Sequence, residues 1–113
     1  LSGCCCLFKT KIFKEIGKLD ESFFAYYEDV DFSLRLKKHG YKIGFTSKTH
    51  VYHYESFSSI SNNSKGGKLS PYIHYLNIRN HILILKKHSY LFNPFGTRLY
   101  QMMLIKKMLL KSQ

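Results

Sequence analysis

Apolar and polar positions change rhythm several times along the chain. Gly3 to Phe8 is a continuous run of small and apolar residues, the pattern of a short strand covered on both faces. Thr10 is placed to cap a short helix over Lys11 to Ile16, and Gly17 to end it. Leu19 to Phe24 mixes acids with aromatics and reads as a loop, from which Tyr26-Tyr27 leads into Glu28-Asp29. From Val30 to Lys37 apolar and polar residues alternate without a break, which fits a strand. The flanks favour a helix: acids stand at its start, Asp31 and Arg35 are four apart, and Lys37-Lys38-His39 precede Gly40. As a helix it would carry Val30/Leu34 and Phe32/Leu36 on roughly opposite sides and be covered on both.

Tyr41 to Phe45 and Thr49 to Tyr54 read as two further short strands. Residues 55–70 are rich in Ser, Asn and Gly and read as a mobile loop. Ser70-Pro71 is a helix start, and the helix runs to about His88 with Tyr75, Ile78, Ile82 and Leu85 as its apolar stripe. Asn93-Pro94-Phe95-Gly96 breaks the chain, and Thr97 is placed to cap a last helix to about Leu110. The pattern predicts an α/β chain: a small mixed sheet with packed helices and two C-terminal helices. Residues 1–70 form one unit and 71–113 a helical extension.

Composition narrows the partners. Eighteen Lys+Arg against seven Asp+Glu give a net charge of +11, so an anion is the first partner to consider. All seven acids lie in residues 1–55, beside nine Lys/Arg; residues 56–113 hold nine Lys/Arg and no acid. No apolar run approaches the roughly 18–20 residues of a membrane span, and the start lacks the basic stretch of a signal peptide. Cys4, Cys5 and Cys6 are contiguous, a spacing that suits neither a disulfide nor zinc, and read as reduced.

Three places can carry chemistry. Glu28, Asp29 and Asp31 cluster at a loop-to-helix junction, as helix-capping acids or as a general base with its neighbours. His53 ends a predicted strand, either as a ligand for a metal or phosphate or packed among tyrosines. Arg79, within Arg79-Asn80, is a phosphate ligand or a solvated helix position. No nucleotide-binding glycine loop and no nucleophile elbow is present.

The ordered series Ser2-Gly3-Cys4, Phe13-x-x-x-Gly17-x-Leu19-Asp20-Glu21-x-Phe23-Phe24, Tyr27-Glu28-Asp29-Val30-Asp31-Phe32-x-x-Arg35, Gly40-Tyr41 and Val51-x-His53 resembles the second half of family 2 glycosyltransferases. These are inverting enzymes of the GT-A fold, and the likeness is to the rhamnosyltransferase type over about residues 2–88. It implies a partial GT-A domain whose residues 1–70 are the acceptor side. Asp29 would be the catalytic base, with Glu28, Asp31 and Tyr27 around the acceptor and Arg35 holding Asp31. Tyr26 would help to wall that site. His53 would bind the divalent metal (Mg or Mn) or the diphosphate, and Arg79 a phosphate. The partners implied are a nucleotide-sugar donor and a saccharide or lipid-linked acceptor in cell-surface polysaccharide synthesis. The location implied is cytoplasmic, peripheral to the inner face of the plasma membrane.

The family's nucleotide-binding first half and its Asp-x-Asp metal motif have no counterpart here. The chain is therefore expected to be a fragment without turnover of its own, exposing apolar surface and self-associating. The basic, apolar-rich stretch over residues 79–113 suits either an anionic membrane surface or packing against protein. The competing reading is a small basic nucleic-acid-binding or membrane-docking module without catalysis. No nucleic-acid-binding motif supports the first of these, and no nucleic acid is expected as partner.

Overall fold

A computed structural model describes residues 3–53 and 70–111. Among them the chain is helical: α1 (Lys11–Ile16), α2 (Glu28–Lys38), α3 (Pro71–Lys87) and α4 (Pro94–Lys111), with single 3-10 turns at Glu21–Phe23 and Ser89–Leu91. No strand and no sheet forms among the described residues. The α/β expectation, with its small mixed sheet and GT-A architecture, is therefore overturned. The segments expected as strands, 3–8, 41–45 and 49–53, are irregular, and Tyr54 lies outside the described residues, as does the predicted loop up to residue 69. The physical reason is that a strand exists only through its ladder. Apolar content gave these segments strand character, but none pairs with another strand among the described residues.

The helices end where local chemistry dictates. Gly17, at φ 83°, closes α1 by donating its N–H to the Phe13 carbonyl at 3.1 Å. Thr10 precedes α1, yet its hydroxyl makes no capping hydrogen bond. At the end of α2, Gly40 donates to the Lys37 carbonyl and Tyr41 to the Leu36 carbonyl, both at 3.0 Å. This pair of bonds requires the left-handed conformation Gly40 adopts, φ 79°. Ser70 caps α3, its hydroxyl accepting from Ile73 N–H at 3.3 Å, with Pro71 first in the helix. The last helix begins at Pro94 rather than after Thr97, because the Asn93 side chain accepts from Phe95 N–H at 2.9 Å. Asn93-Pro94 thus repeats the logic of Ser70-Pro71.

The buried apolar side chains fall into two groups. On one side Ile12, Ile16, Phe32 and Leu36 are buried, with Phe8, Phe13, Tyr41 and Ile43 packed on them. The rings of Phe8, Phe13 and Phe32 lie 4.9–5.7 Å apart. On the other, Phe23, Leu76, Ile84 and Leu85 are buried where α3 meets the 3-10 turns. Each such side chain contributes about 1.5–3 kcal/mol. Val30 stays exposed and Leu34 half-buried, so α2 is not covered on both faces as its pattern suggested. The buried face of α3 also differs from expectation. It runs Leu76, Asn80, Ile84, His88 at four-residue intervals, while Tyr75 is exposed and Ile78 and Ile82 half-buried. An apolar template passes over this face because two of its positions are polar.

Between the two groups lies a buried ion network. Asp31 has no solvent exposure. Its Oδ2 accepts from Arg35 Nε at 2.8 Å, and its Oδ1 from Lys87 Nζ at 2.9 Å and His88 Nε2 at 2.8 Å. Arg35 also donates to the carbonyls of Ile16 at 2.6 Å and Lys18 at 2.7 Å, the orphan acceptors at the end of α1. Lys87 bridges to Asp20 at 2.5 Å. Burial raises the Asp31 pKa, but the bonds from Lys87, His88 and Arg35 outweigh it and hold the carboxyl below its usual value. Asp20 is also well below the usual carboxylate range, chiefly through Lys87.

Both groups have depressed folded-state pKa values. Their contribution is therefore full above the unfolded value of 3.8 and lost as pH falls through the folded one. The urea midpoint should fall as pH drops below about 4. Asp31→Asn should cost about 3–5 kcal/mol at neutral pH, because it leaves buried cations without their anion, and should flatten the acid dependence. An unchanged midpoint at pH 7 would remove the network from its central place.

Candidate active site

The turn before α2 has unusual backbone. Phe24, Tyr26 and Tyr27 adopt φ of 61°, 67° and 71°, in the region L side chains avoid. Each such residue costs about 1–3 kcal/mol and persists only where its surroundings impose it. The surroundings come from three consecutive residues of α3. Asn80, fully buried, donates its amide to the carbonyls of Phe23 at 2.9 Å, Ala25 at 2.7 Å and Tyr26 at 2.8 Å. Arg79 donates to the Ser22 carbonyl. His81 Nδ1 lies 3.0 Å from the Tyr27 hydroxyl. Burial pushes the His81 pKa down and the Tyr27 pKa up, Tyr100 adding to the latter, so both groups are neutral at pH 7. The Tyr100 ring of α4 packs 5.3 Å from His81.

This clamp fixes where α2 starts. Tyr27 is its left-handed N-cap, and Glu28 and Asp29 occupy the first turn. Asp29 Oδ2 accepts from Gly3 N–H and Oδ1 from its neighbour Val30 N–H, both at 2.8 Å. Each oxygen thus receives one backbone donor, which sets the plane of the carboxylate and leaves further acceptor capacity on both. Asp29 opens on a niche of about 110 Å³ walled by Gly3, Cys6, Phe8, Leu19, Glu28 and Phe32. Pockets that enclose whole small ligands measure roughly 300–1,000 Å³, so the niche grips only part of one. Glu28 Oε2 is buried without a hydrogen-bond partner beside it.

Tyr27, Glu28 and Asp29 thus come together at one turn. Asp31 does not wall the niche and lies in the buried network. Arg79 stands behind the turn, half-buried on the Ser22 carbonyl. Tyr27 directs its hydroxyl to α3. His53 is exposed on irregular chain and belongs to none of these contacts. No three His, Cys, Asp or Glu side chains converge on one position among the described residues. Asn80 was read only as the neighbour of Arg79, and His81 not at all, so their hold on the turn was not anticipated. The readable signal was an Asn four residues from both Leu76 and Ile84, a polar group on an apolar face.

No family model matches the chain, and no solved structure does. Over 59 residues, 52% of the chain, it is 37% identical to the N-acetylglucosaminyl-diphospho-decaprenol L-rhamnosyltransferase of two strains of Mycobacterium tuberculosis, taking in 19% of that protein. Over 42 residues, 37% of the chain, it is 40% identical to a low-salt glycan biosynthesis hexosyltransferase of Haloferax volcanii, 14% of that protein. The chain therefore spans under a fifth of the length of the curated relatives it matches, and a short segment of it is similar to glycosyltransferases of glycan synthesis.

The clamp has a sign that a variant series can read. Asn80→Ala removes the donor and should cost about 2–3 kcal/mol through unsatisfied buried carbonyls. Asn80→Asp, nearly identical in shape, turns an acceptor toward three carbonyls and should be worse. Urea midpoints should rank wild type, then alanine, then aspartate; an aspartate variant as stable as wild type would remove the amide from this role.

Proposed function

We propose that this chain supplies the acceptor side of a glycosyltransferase acting in glycan synthesis, with Asp29 as the base that activates the acceptor hydroxyl. The observation that carries the reading is the Asp29 carboxylate, held at the start of α2 by two backbone donors and open to a niche. The similarity of part of the chain to a rhamnosyltransferase and a hexosyltransferase supports the reaction class.

In this reading the donor is a nucleotide-sugar and the acceptor a saccharide, free or lipid-linked. The acceptor hydroxyl gives its proton to an Asp29 oxygen as its own oxygen attacks the anomeric carbon. The bond from that carbon to the nucleoside diphosphate breaks on the opposite side, and the configuration inverts. Leu19, Phe8 and Phe32 offer apolar walls to the C–H face of a sugar, and Glu28 supplies a second acceptor at the same mouth. Tyr27 and Asn80 act by fixing the turn. His53 is kept as a candidate for the diphosphate side, and no step is routed through a metal.

The test is activity of the complete open reading frame with and without Asp29→Asn. The substitution keeps shape and removes the base, so transfer should fall about 10²–10⁴-fold while nucleotide-sugar binding, read by calorimetry, is retained. Turnover near wild type would exclude Asp29 as the base.

A further inference from the structure

The last helix is turned the opposite way from a soluble surface helix. Among the α4 residues whose side chains are described, Thr97, Gln101 and Leu104 are half-buried toward the protein, while Phe95, Leu99, Met102, Met103, Ile105 and Leu109 are exposed. At 100° per residue, Phe95, Leu99, Met102 and Leu109 fall within one stripe on the outward face. Phe95 is 80% exposed and Met102 66%. The apolar face thus points away from the chain.

Beside it, at the corner between α3 and α4, is a groove of about 430 Å³. Lys86 and Arg98 stand at its rim, Ser89, Thr97 and Gln101 add hydrogen-bonding groups, and Phe92 and Phe95 give it apolar walls. Neither cation is ion-paired among the described residues, in contrast to Lys87 next door, which holds Asp20 and Asp31. Residues 56–113 contain no acid. The N–H groups of Phe95 and Gly96 are turned to Asn93, so an anion in the groove would be held by the side chains.

We propose that this corner docks on an anionic membrane surface. Lys86 and Arg98 take lipid phosphates while Phe95, Leu99 and Met102 enter the boundary of the acyl layer. The pairing of unneutralised cations with an outward apolar stripe is what selects a phospholipid surface: an apolar protein partner would leave both charges buried and unpaired, whereas a headgroup layer meets both. No helix among the described residues is long and apolar enough to cross a membrane, so the helix would lie along it. This inference does not depend on the proposed function.

The test is sedimentation of the full chain with vesicles. Binding is expected to vesicles mixing phosphatidylglycerol with phosphatidylcholine, to weaken on pure phosphatidylcholine, and to fall with salt. Lys86→Ala with Arg98→Ala should lower it roughly thirtyfold, about fivefold for each cation. Leu99→Ser with Met102→Ser should lower it even at low salt. Lys18→Ala with Lys48→Ala, remote from the groove, should leave it within twofold. Equal binding by the groove variants would overturn the proposal. So would saturation of the groove by inorganic phosphate without vesicle binding, which would assign it to a soluble anion. A dimer abolished by Leu99→Ser with Met102→Ser, in a chain that ignores vesicles, would likewise overturn it in favour of a second copy.

Discussion

A carboxylate with no access to water holds this chain together. Asp31 receives Arg35 from its own helix and Lys87 and His88 from the end of α3. Through Arg35 it reaches the last carbonyls of α1, and through Lys87 the Asp20 side chain that caps the 3-10 turn. Four elements, α1, α2, the Glu21–Phe23 turn and α3, are thereby tied to one point. A buried ion pair of this kind is not in itself a large source of stability, since desolvating the charges offsets much of their attraction. Its effect is on geometry. Its partners come from α2 itself and the end of α3, and Arg35 extends the contact to the end of α1.

That constraint explains why two carboxylates so close in sequence have different fates. Asp29 and Asp31 are two residues apart on a helix, so their side chains project about 200° from one another. One must face inward if the other faces out. Asp31 enters the network, and Asp29 is left on the side of Gly3, Cys6 and Phe8. The Asp29-Val30-Asp31 spelling therefore cannot act as one paired ligand set. The strained turn at Phe24–Tyr27 delivers α2 in that rotation, and Asn80 holds the turn by three carbonyls.

Much of this was legible in the sequence, for reasons that can be named. The extents of α1, α2 and α3 follow from Gly17, from the acidic start and Gly40 end of α2, and from Ser70-Pro71. All are local chemistry, and local chemistry is what a sequence displays. The Asp31–Arg35 pair follows from four-residue spacing. The strands were misread because pairing is not local: Gly3–Phe8 and Tyr41–Phe45 are apolar enough for a sheet but lack a ladder partner among the described residues. The grip of Asn80 on residues 54–57 positions away, and that of His88 on Asp31, were hidden for a related reason. A polar residue on an apolar face signals burial, but not which distant group it will satisfy.

The uneven charge of the chain follows from the same architecture. Asp20, Asp31 and Glu15 are occupied by cations or a phenol within the fold, and Asp29 by backbone N–H groups. Only Lys87 among the described cations of the second half is drawn into these pairs, and it is the one at the Asp31 network. Lys86, its immediate neighbour, is turned 100° around α3 and faces the groove with Arg98. One helical step thus separates a lysine that closes the core from a lysine available to an external anion. Residues 56–113 contain no acid, so that second set has no carboxylate within its own stretch to pair with. The internal demand of Asp31 for cations and the external reach of the α3–α4 corner are two consequences of where Lys86 and Lys87 fall on the same turn.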